Sequence, residues 1–221
     1  QATPAPTYPD RDQVLDLIAS CTLTARDAEA TQALADRGLA ASDLDVRGLA
    51  YALPKSAALP AWARYRGRSW LDTGHRIIVP VVDAAGVVRS VRASRVGPGD
   101  TPKRLPPAGH KASGLVMADA MAVEVLRAGA WPSWAPGPAQ IVIAEGEPDW
   151  WTWAVRTPLH RIPKHACIGI FSGAWTADIA ARIPDGAKVA IWTDHDAAGE
   201  KYAQQIADSL ADRCTLIRGG A

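Results

Sequence analysis

Gln140-Ile-Val-Ile-Ala-Glu-Gly-Glu-Pro-Asp149 and Lys188-Val-Ala-Ile-Trp-Thr-Asp-His-Asp-Ala-Ala-Gly199 decide the fold. Each is a short apolar run that breaks into an acidic turn containing glycine. Around them the sequence alternates regularly. Residues 141–144 read as a buried strand, 149–156 as helix, 166–171 as strand and 176–182 as helix. Residues 188–193 then read as strand, 197–211 as helix and 214–217 as strand. Continuous apolar strands alternating with helices predict a parallel sheet covered on both faces.

In such a sheet the carboxyl ends of the strands form one edge, and ligands bind there. Glu145 and the Asp194/Asp196 pair are therefore expected to meet at one rim. The i, i+2 spacing of the two aspartates puts both on one side while the backbone stays extended. Gly146 and Gly199 permit tight turns and close backbone approach. Carboxylates crowded together raise one another's pKa values, and a divalent cation removes the conflict. Oxygen ligands in a cluster suit Mg²⁺ or Mn²⁺, which keep some water and bridge to phosphates. Two such ions would clamp a phosphoryl transfer. The competing reading is helix capping, by Asp149 for a helix opening at Trp150 and by Asp196 for one opening at Ala197. Two acidic turns after two strands of one sheet favour the shared site.

Upstream the pattern differs. Residues 1–10 are rich in Pro, Ala and Thr and read as a flexible lead-in. Val14, Leu15, Leu17 and Ile18 form the apolar stripe of a first helix. Thr24 with Asp27 resembles a capping box that opens a helix to about Arg37, stopped by Gly38. Ser42 is a candidate cap for a short helix through Leu49. Residues 76–82 and 87–96, joined by Asp83-Ala-Ala-Gly86, read as a β-hairpin. The proline-rich stretch 97–107 reads as a loop carrying Lys103 and Arg104. A helix is expected over residues 118–127.

The 221 residues are 48% hydrophobic and 21% charged, which excludes wholesale disorder. No apolar run approaches the roughly 20 residues that span a bilayer, and no signal segment reads in the opening residues. The three cysteines form no CxxC pair, which argues against a zinc ribbon or a disulfide framework and for a reducing, cytoplasmic setting. The net charge is only +1, yet between Lys55 and Lys111 eleven basic residues face three acidic ones. That block reads either as a polyanion-binding surface or as a solvated arginine-rich one.

Glu145-Gly-Glu-Pro-Asp149 and Asp194-His-Asp-Ala-Ala-Gly199 resemble the two signatures of the Toprim fold, shared by bacterial (DnaG-like) primases, topoisomerases and certain nucleases. Phe171-Ser-Gly-Ala-Trp-Thr176 resembles the turn after the second Toprim strand. His75-Arg-Ile-Ile-Val-Pro-Val-Val-Asp83, Thr101-Pro-Lys-Arg-Leu-Pro-Pro107, Gly109-His-Lys111 and Leu34-Ala-Asp-Arg-Gly-Leu39 resemble the primase segment that precedes Toprim. The likeness covers about residues 28–218 and is closest to primases of phages and plasmids, often fused to a helicase.

The resemblance implies an α/β Toprim domain over residues 119–221, a short parallel sheet flanked by helices. A basic α+β module over residues 11–118 would precede it. It implies a primase core that makes RNA primers on a single-stranded DNA template from NTPs, with Mg²⁺ or Mn²⁺ and a replicative helicase, fused or separate, as partner. Glu145, Asp194 and Asp196 would be catalytic. The same three with Asp149 would hold the metals. Arg76, Arg92 or Arg95, Lys103 and Lys111 would line the groove for template and nucleotide phosphates. His195 departs from the family's small or amide residue, and Gly219-Gly-Ala221 carries no third carboxylate. The rival readings are nuclease-like phosphodiester chemistry on the same site and a non-catalytic nucleic-acid-binding replication adaptor. A topoisomerase would need a catalytic tyrosine, and Tyr8, Tyr51, Tyr65 and Tyr202 have no suggestive context. Trp150, Trp151 and Trp153 are expected in the core rather than stacked on bases.

Overall fold

The computed structural model describes residues 8–159, 161 and 164–220. Residues 1–7 of the expected lead-in therefore lie outside the described residues. The chain divides into two compact units, residues 1–81 with 88–112 and residues 82–87 with 113–221.

The first unit opens with α1 (Arg11–Ser20), whose first turn is capped where Asp10 accepts from the Gln13 amide at 3.0 Å. Val14 and Leu17 are its buried stripe. A 3₁₀ turn (Thr24–Arg26), α2 (Ala28–Ala35) and α3 (Ala41–Val46) follow. The cap of α2 is Asp27, which accepts from the Ala30 amide at 2.9 Å. The capping box expected from Thr24 does not form. The Thr24 hydroxyl instead donates to Asp45 at 2.7 Å, tying the 3₁₀ turn to α3. Ser42 lies inside α3 and caps nothing, because that helix starts one residue earlier.

Six short strands complete the unit: β1 (Tyr51–Ala52), β2 (Arg64–Tyr65), β3 (Arg68–Ser69), β4 (His75–Val82), β5 (Val88–Arg95) and β6 (Arg104–Leu105). Their main sheet has the order β1-β4-β5-β6, and β2 pairs only with β3. The expected β4–β5 hairpin is present, and the Asp83 amide donates to the Val87 carbonyl at 3.0 Å across its turn. The stretch 97–107 is not wholly irregular, since Arg104 and Leu105 pair with Ser94 and Ala93. The core under this sheet gathers Val14, Leu17, Leu53, Trp62, Trp70, Ile78, Val91 and Leu105. Trp62 and Trp70 meet edge to face at 5.6 Å, a geometry aromatic pairs favour.

The second unit is the alternating α/β part. It runs β7 (Met117–Ala118), α4 (Ala120–Ala128), β8 (Gln140–Glu145), α5 (Gly146–Val155), β9 (Ala166–Ile170), α6 (Ala177–Ala180), β10 (Lys188–Thr193), α7 (Ala197–Leu210) and β11 (Thr215–Gly220). The sheet order is β11-β10-β8-β9-β7. β8, β9, β10 and β11 pair in parallel, and β7 is antiparallel to β9. This unit takes in residues 82–87 and 113–118 as well as the expected 119–221: Met117 and Ala118 pair with β9, and Val116 bridges Val82.

Packing explains why α5 lies where it does. Trp150 and Trp151 are 1% and 2% exposed, so both serve the core as expected, whereas Trp153 is only half-buried, with the Arg156 guanidinium over its ring. The Trp150 indole donates to the Cys167 carbonyl at 3.1 Å. A Cβ at Gly169 would fall 2.7 Å from the Trp150 ring and 2.6 Å from Met117, so β9 needs glycine there. Among the described residues no helix is long and apolar enough to cross a membrane.

Arg76 is the charged centre of the first unit. It is 4% exposed. Its guanidinium donates to the Leu53 carbonyl at 3.0 Å, to Glu29 at 2.5 Å and to Asp27. This cluster joins β4 to the start of α2. Removing the buried guanidinium takes the ion partner from Asp27 and the side-chain donor from the Leu53 carbonyl, while half-exposed Glu29 keeps Lys55. Arg76→Met is therefore expected to lose on the order of 3 kcal/mol in urea unfolding; a loss within measurement error would show that the cluster does not hold the unit.

Candidate active site

The two acidic turns meet at the carboxyl ends of adjacent strands. β8 and β10 pair in register from Gln140 opposite Lys188 to Ala144 opposite Trp192. Glu145 is thus carried to the end of β8 beside the point where β10 gives way to Asp194. The Asp194 amide donates to Glu145 Oε2 at 3.2 Å. Each strand runs straight into a helix whose N-terminus sits at this same edge, α5 after Glu145 and α7 after Asp196. Helix N-termini carry partial positive charge, which suits carboxylates and anions.

The first turn is tight because Gly146 takes φ +77°, open to glycine at little cost. α5 then begins at Gly146, with Glu145 at its N-cap position and no side-chain capping bond. Pro148 is tolerated in that first turn, where no intrahelical donor is needed. Asp149 sits in the same turn, inside a helix that starts at Gly146, so it does not stand at the N-cap position before Trp150 that the capping reading gave it. Glu147, which sequence reasoning passed over, is fully buried behind the rim. A charged residue between glycine and proline gives no sequence signal of burial.

The second turn depends on Gly199. A Cβ there would lie 2.0 Å from the Asp194 carbonyl oxygen, so the Asp194 backbone lies directly on the first turn of α7. The Thr193 hydroxyl, fully buried, donates to the Gly199 carbonyl at 2.9 Å and pins the same turn. Asp196 caps α7, and both bonds fall on Oδ1, from the Ala198 amide at 3.0 Å and the Gly199 amide at 2.8 Å. The competing capping reading thus describes Asp196. Asp194 and His195 are exposed.

The electrostatics are those of crowded acids. Burial pushes the Glu145 carboxyl up from its usual range. The Asp194 amide opposes that, the charges of Asp194 and Asp196 add to it, and Arg218 pulls the other way. Arg218, on β11, also pairs with Glu200 at 2.8 Å. Its nearness to the rim is set by the sheet order, which spacing in the sequence does not reveal.

Among the described residues no three His, Cys, Asp or Glu side chains stand close enough to form a ready metal site. The expected cradle of Glu145, Asp149, Asp194 and Asp196 is therefore not assembled. Glu145 is turned to the Asp194 amide and Asp196 to the α7 amides. The donor chemistry nonetheless fits a hard cation. Every candidate ligand is a carboxylate, Glu145 is raised in part by its neighbours' charge, and Mg²⁺ needs only one or two carboxylates beside water and phosphate.

The expected phosphate-binding residues all belong to the first unit and divide by environment. Arg76 is buried in its ion-pair cluster, so its charge is spent inside the fold. Arg95 is folded onto the following loop, donating to the Gly97 carbonyl at 2.8 Å and the Thr101 carbonyl at 2.7 Å. Arg92 is half-buried on β5. Lys103 and Lys111 are exposed. Pro102, beside Lys103, is held where its carbonyl accepts from buried His75 Nε2 at 2.8 Å.

No family model matches the chain, and no curated protein matches it. Solved structures do. A DnaG catalytic core aligns with a TM-score of 0.60 at 17% identity over 95% of this chain and 71% of that one. A DnaG primase catalytic domain bound to ssDNA aligns with a TM-score of 0.58 at 18% identity over 95% and 70%. The RNA polymerase domain of Mycobacterium tuberculosis primase DnaG, in complex with double-stranded DNA, aligns at 0.57 and 18% over 95% and 74%. The chain has the fold of DnaG primase catalytic domains.

Two measurements test the site. Replacing a capping Asp by Ala costs about 1 kcal/mol, whereas Asn caps as well as Asp. Asp196→Ala should lose that amount in urea unfolding while Asp196→Asn keeps most of it; equal stability of the two would remove Asp196 from the cap. The raised pKa of Glu145 means that its ionisation costs the folded state stability, a cost absent at low pH and felt as pH rises through that pKa. Glu145→Gln should therefore melt at or above the parent near neutral pH, the gain fading as pH falls toward the ordinary glutamate value of about 4.3. A gain that grew on acidification would contradict the assignment.

Proposed function

We propose that this chain is the catalytic core of a Toprim primase of the phage or plasmid type, making short RNA primers on single-stranded DNA. The observation that supports this most is the meeting of Glu145 with the Asp194 turn at the carboxyl edge of a parallel sheet, in a fold shared with DnaG catalytic domains. The proposed substrates are NTPs and a template strand. A replicative helicase, fused or separate, is the proposed partner.

Glu145, Asp194 and Asp196 would hold Mg²⁺ or Mn²⁺ with oxygen donors, and Asp149 on the first turn of α5 would join them. Bound there, divalent ions supply positive charge to the reacting phosphates. Where Glu145 is not itself a metal ligand, its place at the end of β8 beside the Asp194 turn makes it the group to take the proton of a ribose 3′-hydroxyl. Glu145 stays in place through the Asp194 amide, and Gly199 lets that amide come close. Lys103 and Lys111, exposed and without an ion pair among the described residues, present their ammonium groups to template and nucleotide phosphates, a contact that weakens with salt.

Primer synthesis on single-stranded DNA with labelled NTPs tests this reading. Glu145→Gln and Asp194→Asn should each reduce product by at least about 100-fold, the scale of a lost acid–base group. Undiminished product in both variants would rule out the site. No incorporation by the native chain, with DNA binding indifferent to Mg²⁺, would make it a non-catalytic adaptor, the role favoured if the carboxylates never gather.

A further inference from the structure

Ala63-Arg-Tyr-Arg-Gly-Arg-Ser69 forms a small arginine-rich hairpin in the first unit. Arg64 pairs with Ser69 and Tyr65 with Arg68, which leaves Arg66-Gly67 as a two-residue loop. Arg66 takes φ +48° and Gly67 φ +84°. Two positive φ values in a two-residue hairpin loop are the type I′ geometry, whose first position favours Asn, Asp or Gly. Arg66 is the one non-glycine residue with positive φ among the described residues. A long cation thus stands where the backbone would be better served by asparagine, and local folding gives no reason for it.

The surroundings of the four side chains separate anchor from tip. Tyr65 packs against the core cluster that holds Trp62 and Trp70. Arg68 pairs with Asp100 at 3.1 Å and donates to the Asp72 carbonyl at 3.3 Å, which braces the hairpin against the loop that carries Lys103. Arg64 and Arg66 are exposed, and among the described residues neither guanidinium has an ion pair or hydrogen bond. Arg66 lies 5.3 Å over the Tyr65 ring. The result is a braced tip with two uncompensated guanidiniums, one resting on a half-exposed aromatic ring.

We propose that this hairpin grips single-stranded nucleic acid, with Arg64 and Arg66 on backbone phosphates and the Arg66–Tyr65 stack as a platform for a base. Guanidinium forks match phosphate oxygens, and basic groups interleaved with aromatic rings are how single strands are held without sequence preference. The proposal extends the template-binding part of the primase reading to residues outside the acidic site and outside the expected Lys103/Lys111 groove.

The test uses the full chain and a fluorescein-labelled single-stranded oligonucleotide, followed by anisotropy across a salt series. Arg66→Asn supplies the residue the loop prefers, so its melting temperature should equal or exceed the parent's. Its affinity should fall several-fold, and the slope of log affinity against log salt should shrink by about 0.7, the value for one lost single-strand phosphate contact. Arg64→Gln, at an ordinary strand position, should do the same, and the double variant should lose about twice the slope. Unchanged affinity and slope in both single variants would overturn the proposal. A failure of primer synthesis in the native chain would refute the primase reading and leave these binding results to be judged separately.

Discussion

Parallel pairing of β8 with β10 is the constraint on which the rest of the second unit depends. The two strands are separated in sequence by α5, β9 and α6, and only their side-by-side register brings the Glu145 turn to the Asp194 turn. The amide of Asp194 then donates to Glu145. Close approach is possible because residue 199 has no Cβ, and the buried Thr193 hydroxyl ties strand end to helix start. A glycine, a threonine and a strand register together place two acidic segments at one rim.

That rim balances opposing fields. Two helix N-termini and Arg218 favour negative charge there, while burial and neighbouring aspartates disfavour it on Glu145. The carboxylates answer the conflict with local partners, Glu145 on a backbone amide and Asp196 on two. Capping and cation binding need not exclude each other at Asp196, because both capping bonds use one oxygen. A carboxylate carries several acceptor sites.

The basic unit shows why counting charges says little about where charge works. Eleven basic residues fall between Lys55 and Lys111, yet their fates differ. Arg76 is consumed by Asp27 and Glu29, Arg95 by loop carbonyls and Arg68 by Asp100. Those three are turned onto partners within the unit. Arg64, Arg66, Lys103 and Lys111 face solvent and carry the charge outward. A guanidinium stem long enough to reach a phosphate is equally long enough to reach a carbonyl across a turn, and only the fold decides between them.

Local chemistry was legible in the chain wherever it acts over a few residues. The strand–helix alternation from residue 140 onward, the β4–β5 hairpin and the buried tryptophans of α5 all follow from apolar period and turn residues. The acidic rim was legible too, because strand ends of a parallel sheet share an edge. What needed tertiary structure were partnerships across long separations: Thr24 with Asp45 in place of a capping box, Arg76 with Asp27, and Arg218 beside the rim. The exact placement of Glu147 in the interior and the pairing of Met117 with β9 belong with them. Periodicity reports which way a side chain faces along its own element; it holds no information on which distant group that side chain will meet, and for a charged group the meeting decides the role.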